Sequence, residues 1–98
     1  KYNLNQFDAA IKDLDKAIGL SPRYADDRSL RGKCKYNLNQ FDAAIKDLDK
    51  AIELDPDYQD YYYLRNKCKY ALGENEDASK DIDEAFIIHN YNQLNIFN

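Results

Sequence analysis

The chain has 98 residues, a third of them charged, and carries 18 acidic against 14 basic side chains for a formal net charge of -4. That length bounds one small domain, and the acidic balance lacks the basic footprint that nucleic acid selects. No apolar run reaches the roughly 18 residues needed to span a bilayer, and Lys1 to Gln6 lack the apolar centre of a signal peptide, so no membrane partner is expected.

The segment KYNLNQFDAAIKDLDKAI stands at residues 1–18 and recurs letter for letter at 35–52, a displacement of 34 positions. Methionine is absent and the chain opens inside this pattern, so it reads as a piece of a longer protein. In the first copy Phe7, Ala10, Ile11, Leu14 and Ile18 follow the spacing of one helical face, which predicts a helix over 6–19 ended by Pro22. Leu30, Cys34 and Leu38 predict a second helix over 25–38. Phe41, Ala44, Ile45, Leu48, Ala51 and Ile52 predict a third over 41–54, ended by Pro56, with Asp42, Lys46, Asp47, Asp49 and Lys50 on its solvated face. Leu64, Cys68 and Leu72 repeat the second pattern over 59–72, and a fifth helix is expected over 75–88. Asn5, Asn39 and Gly73 occupy one repeated position between helices, and these residue types adopt the left-handed conformation that ends a helix.

Cys34 and Cys68 are also 34 residues apart, each inside Lys-Cys-Lys-Tyr. Equivalent atoms of stacked helices sit about 8 to 10 Å apart, beyond the about 7 Å between Cα atoms that a disulfide tolerates. Both are expected as free thiols in packing positions. With His89 alone and distant, they make no metal site, and no cofactor is expected. Nor is an enzyme: no nucleophile has a paired base, no Gly-rich loop could cradle phosphate, and the carboxylates define no cleft.

The unit is therefore helix, turn, helix. Arg31-Gly32, Leu38-Asn39-Gln40-Phe41-Asp42-Ala43-Ala44-Ile45 and Lys50-Ala51-Ile52-Glu53-Leu54-Asp55-Pro56 resemble the tetratricopeptide repeat family in period and in pattern. The resemblance covers about nine-tenths of the chain: a partial repeat (1–24), a full repeat (25–58), a degraded full repeat (59–92) and a tail (93–98). In the third unit Asn66, Asn75, Ser79 and Asn90 replace Gly32, Phe41, Ile45 and Pro56, as in a terminal unit. Where the family usually has an aromatic side chain, this chain has Lys35 and Lys69, whose stems are expected to snorkel to water. Tyr36 and Tyr70 are then expected to take up part of the packing. The tail's Leu94, Ile96 and Phe97 are enough to dock but too few for a hairpin.

What the resemblance implies is an all-α fold, a right-handed superhelical solenoid of stacked antiparallel hairpins, whose concave face is lined by the first helix of each repeat. It nominates Tyr24, Asp26, Ser29, Lys33, Tyr36, Asn37, Tyr58, Asp60, Tyr63, Lys67 and Tyr70 for a groove that takes a protein or peptide segment, with Tyr61 and Tyr62 assigned to packing. Some members clamp a peptide's terminal carboxylate with Lys, Asn and Arg. Ser29, Lys33, Asp60 and Leu64 stand at those positions here, and Asp60 opposes an acidic peptide end. The related pentatricopeptide repeats bind RNA, but their period is one residue longer and phosphate wants a basic groove.

A second functional reading is structural. An opening helix without its partner exposes Phe7, Ile11, Leu14 and Ile18, and the other end gathers Ile87, Ile88, Leu94, Ile96 and Phe97. Patches of that kind predict homo-oligomers that stack or exchange helices through the repeat ends.

Overall fold

The computed structural model describes residues 4–96, with side chains through Leu94, and these residues form five α-helices and no strand. They are α1 (Leu4–Leu20), α2 (Ala25–Asn37), α3 (Phe41–Leu54), α4 (Gln59–Ala71) and α5 (Asn75–Ile96). Each packs against its neighbours in chain order, and α2 also meets α4, the arrangement of a helical repeat solenoid.

The turns inside the two hairpins have one chemistry. Asn39 at φ 61° and Gly73 at φ 80° take the left-handed conformation. That lets Gln40 N donate to Lys35 O at 2.8 Å and Glu74 N to Lys69 O at 2.9 Å, so carbonyls at the ends of α2 and α4 find partners. Asn5, expected to share this role, lies inside α1, with no preceding helix among the described residues to terminate. α1 and α3 stop before Pro22 and Pro56. α5 has Asn90 in the proline's place and no glycine or proline after it, so it passes the expected end at Ile88 and continues to Ile96. Gln93–Ile96 therefore extend the last helix rather than form a separate tail; Phe97 lies outside the described residues.

Small side chains set the helix spacing and large ones fill it. Ala44, Leu48 and Cys68 are fully buried and pack with Tyr36, Ile45 and Leu64. Ala25, Ala51 and Tyr61 form a second cluster, and Tyr62, Ala85 and Ile88 a third. Gly32 is needed for close approach: a Cβ there would sit 3.3 Å from both the Ala44 carbonyl oxygen and Leu48 Cγ. Asn66, its counterpart in the next repeat, donates from Nδ2 to the Ala78 carbonyl at 2.6 Å. Both cysteines are free; Cys68 is buried, Cys34 half-buried.

Asp47 departs from its expected place on a solvated face: it is buried, as is Asp81. Arg31 grips Asp47 with two hydrogen bonds, Nε to Oδ2 at 2.9 Å and Nη2 to Oδ1 at 2.7 Å, and Lys35 Nζ adds 3.0 Å. Arg31 Nη1 also reaches Asp15 of the preceding repeat at 2.8 Å. The set recurs one repeat on: Arg65 holds Asp81 at 3.0 and 2.7 Å and Asp49 at 2.8 Å, and Lys69 Nζ lies 3.2 Å from Asp81. Lys35 and Lys69 thus turn inward to carboxylates instead of snorkelling. A carboxylate is buried here because a forked guanidinium and an ammonium together supply its charge and its donors. Each arginine ties its own repeat to the one before it.

Of the residues expected to form apolar ends, the side chains of Ile96 and Phe97 lie outside the described ones. Ile18 and Ile88 are buried, so neither offers an association surface. Phe7, Ile11 and Leu14 are half-buried because α2 covers one side of α1. Ile87 and Leu94 are exposed, as are Phe86 and Tyr91.

Candidate functional site

α2 and α4 are successive first helices of the repeat and run side by side. Each turns the same four register positions toward one cavity of about 480 Å³: Asp26, Ser29, Leu30 and Lys33 from α2, and Asp60, Tyr63, Leu64 and Lys67 from α4. The spacing i, i+3, i+4, i+7 makes these one helical face, and the 34-residue period aligns them pair by pair. Tyr58 and Tyr61 close the end nearest the helix N-termini.

The cavity is polar at its two ends and apolar between them. Asp26 and Asp60 occupy first helical turns, where a carboxylate complements the helix dipole. Asp26 accepts a hydrogen bond from the buried Tyr61 hydroxyl. Burial, together with that bond, raises the Tyr61 pKa. At the mouth, a hydrogen bond to Asp60 raises the pKa of Tyr58, whose ring meets that of Tyr61 edge-on with centroids 4.8 Å apart. Two helical turns further on, at about 1.5 Å rise per residue, Lys33 and Lys67 are exposed and form no ion pair among the described residues. Leu30 and Leu64 floor the space between, and Leu30 is 49% exposed although it is a large aliphatic side chain.

Seven of the expected groove residues meet at this cavity: Asp26, Ser29, Lys33, Tyr58, Asp60, Tyr63 and Lys67. Four do not. Tyr36 is half-buried against the core, its ring 5.6 Å from that of Phe41. Asn37 turns its amide to the Lys33 carbonyl at 2.8 Å. Tyr24 and Tyr70 are exposed away from the lining, so Tyr70 takes no part in packing either. Leu30, Leu64 and Tyr61 join the lining although their helical periodicity reads as core. The signal that could have found the two leucines is their place beside Ser29 and Tyr63 in helices whose buried stripes already hold Gly32 in α2 and Cys68 in α4.

Among the described residues no three His, Cys, Asp or Glu side chains converge as a metal would require, and no helix is long and apolar enough to cross a membrane. The cavity offers hydrogen bonds, charge and apolar contact.

Sequence profiles of the tetratricopeptide repeat match residues 1–24 and 25–58, and the chain belongs to that family. No curated protein sequence matches it. Among solved structures, it is similar to MamA, with TM-score 0.87 and 25% identity over 90% of this chain and 52% of that one. It is also similar to the first repeat domain of Spaghetti (RPAP3) bound to an HSP90 peptide, with TM-score 0.83 and 25% identity over 86% of this chain and 67% of that one. The TPR2B domain of yeast Sti1, in complex with pHsp70, gives TM-score 0.83 and 28% identity over 86% of this chain and 67% of that one. The chain thus spans about half the length of MamA.

Proposed function

We propose that this chain is a protein–protein interaction scaffold, non-enzymatic like its family, that holds a short segment of a partner in the cavity between α2 and α4. The observation that carries the reading is the cavity itself: four register-equivalent positions from each of two helices, with an apolar floor between free lysines and helix-terminal carboxylates. A peptide laid across it buries aliphatic and aromatic contacts on Leu30, Leu64 and Tyr63, and finds donors at one end and acceptors at the other. One similar domain bound to an HSP90 peptide and another in complex with pHsp70 support the reading. The ligand differs in kind, because Asp60 and Leu64 stand where a carboxylate clamp needs cations. A segment with a basic residue toward Asp26 and Asp60 and an acidic one toward Lys33 and Lys67 fits both ends.

The experiment is selection of heptapeptides from a displayed library, followed by titration calorimetry of the best binders. Tyr63→Ala is expected to weaken them by about 1 kcal/mol or more, and Lys67→Glu to weaken them and change their salt dependence. Tyr70→Ala should leave them unchanged. Binders indifferent to every cavity substitution would refute the proposal.

The structural alternative, chains associating through their ends, has one observation in its favour: Ile87, Tyr91 and Leu94 are exposed at i, i+4 and i+7 along the extended α5. Light scattering across a wide concentration range tests it, and a strict monomer at high concentration would exclude it.

A further inference from the structure

The chain shows how it holds two carboxylates that come from successive repeats. Arg65 sets its guanidinium between Asp81, at 3.0 and 2.7 Å, and Asp49, at 2.8 Å, and lies 5.6 Å from the centre of the Tyr62 ring. Arg31 joins Asp47 to Asp15 with the same three nitrogens. A third pair from successive repeats, Asp26 and Asp60, stands at one end of the cavity between α2 and α4, beside Tyr58 and Tyr61. Both carboxylates act on the Tyr58 hydroxyl: a hydrogen bond to Asp60 raises its pKa, and the charge of Asp26 adds to the rise. Tyr61 engages only one oxygen of Asp26, and neither carboxylate forms an ion pair among the described residues.

We propose that this end of the cavity takes the guanidinium of an arginine in the partner's segment, and that the segment lies extended with a carboxylate three residues from that arginine. The inference rests on the cavity being the peptide site. Arginine is the cation because its fixed fork of donors satisfies two carboxylates at once and stacks on an aromatic face, as Arg65 does; an ammonium is a compact point charge. The spacing follows from the helices. Asp26 stands seven residues before Lys33, and Asp60 seven before Lys67, which at about 1.5 Å per residue sets the two charged ends roughly 10 Å apart. A polyproline-type segment rises about 3.1 Å per residue and returns to the same edge every third one, so i and i+3 both face the cavity about 9 Å apart. A flat strand would turn them to opposite faces. A helix, about 10 to 12 Å across with its side chains, would need roughly twice the 480 Å³ over that length. Between the two charges an apolar side chain meets Leu30, Leu64 and Tyr63. Charge fixes which end of the segment meets which end of the cavity, so both chain orders are tested.

The test uses the 98-residue protein and labelled, end-capped peptides Gly-Arg-Pro-Leu-Glu-Gly and Gly-Glu-Leu-Pro-Arg-Gly, read by fluorescence anisotropy. Saturable binding is expected from at least one order. Moving its glutamate next to its arginine should weaken it about tenfold, as should Asp60→Lys in the protein. Exchanging its arginine for lysine should weaken it severalfold, and exchanging it for glutamate should recover affinity for Asp60→Lys. Circular dichroism verifies that Asp60→Lys keeps the fold, and Asp60→Asn, a milder change, should weaken binding in the same direction. Equal affinity for both spacings, or for arginine and lysine, would overturn the inference; if Tyr63→Ala still weakened the peptide, the cavity would remain the peptide site. Tighter binding by a helical peptide with arginine and glutamate seven residues apart would overturn it in the same way. So would failure of both peptides where library-selected heptapeptides bind. Binding indifferent to Asp60→Lys, Asp60→Asn and Tyr63→Ala would remove the inference and the cavity reading together, because the segment would then lie elsewhere.

Discussion

Leu14 and Leu48 are the same side chain in the same eighteen-residue sequence, one half-buried and the other fully buried. Leu48→Ala should cost about 2 to 5 kcal/mol, from lost transfer free energy plus the cavity left in a packed interior. Leu14→Ala should cost clearly less, and urea denaturation of the two variants measures the difference. The same comparison applies to charge. Asp47→Ala strands Arg31 and Lys35 in a half-buried site and should cost about 3 to 5 kcal/mol, whereas Asp13→Ala should lie within about 0.5 kcal/mol of wild type. Burial also pushes the Cys68 thiol from its ordinary 9.0 up to about 11. The unfolded chain then loses that proton at lower pH than the folded one, so this stabilisation is complete below pH 9 and disappears as pH rises toward 11. Burial raises the Tyr61 pKa in the same sense. The urea midpoint should fall across that interval, and fall less steeply in Cys68→Ala. Residue type alone misplaces Asp47, because an aspartate among lysines in a helix reads as solvated. The repeat held the correction: Arg31, Lys35 and Asp47 reappear as Arg65, Lys69 and Asp81 in a unit that has lost Phe41 and Ile45, so the charges persist where core residues have changed.

The helices were readable because apolar spacing, proline stops and left-handed turn residues agree with one another. Four of the five close within a residue or two of their expected limits, and the fifth runs on because a missing stop is harder to see than a stop. Asn90→Pro restores the stop. It should end α5 near residue 89, lowering the helical signal in circular dichroism while leaving the buried Tyr62, Ala85 and Ile88 cluster intact. An unchanged helical signal would mean that residues 90–96 are not helical in solution. At the hairpin turn, Gly73 holds φ 80° with open space around it, so Gly73→Ala is destabilising through backbone conformation alone, by about 1 kcal/mol. Sequence could nominate the first-helix face but not its rotation. Tyr36, Tyr63 and Tyr70 look alike in a sequence, and only the packing of α2 against α3 and α4 sends the first to the core, the second to the cavity and the third to open water.

At the scale of the whole molecule, repetition does two things. The ladder of Arg31 and Arg65 joins each hairpin to its predecessor, and the same stacking lines up Asp26 with Asp60, Leu30 with Leu64, and Lys33 with Lys67. A cavity with acidic and basic ends separated by an apolar floor is the product of that alignment, and no single repeat contains it. The central claim is that this cavity is where a partner's segment lies. It is tested most directly by titrating the isotopically labelled protein with a library-selected heptapeptide and following backbone amide shifts. The account predicts that the largest changes fall on Leu30, Lys33, Tyr63, Leu64 and Lys67 and that Lys67→Glu suppresses them. Changes confined to α1 or to the outer face of α5, with the α2 and α4 resonances unmoved, would contradict it.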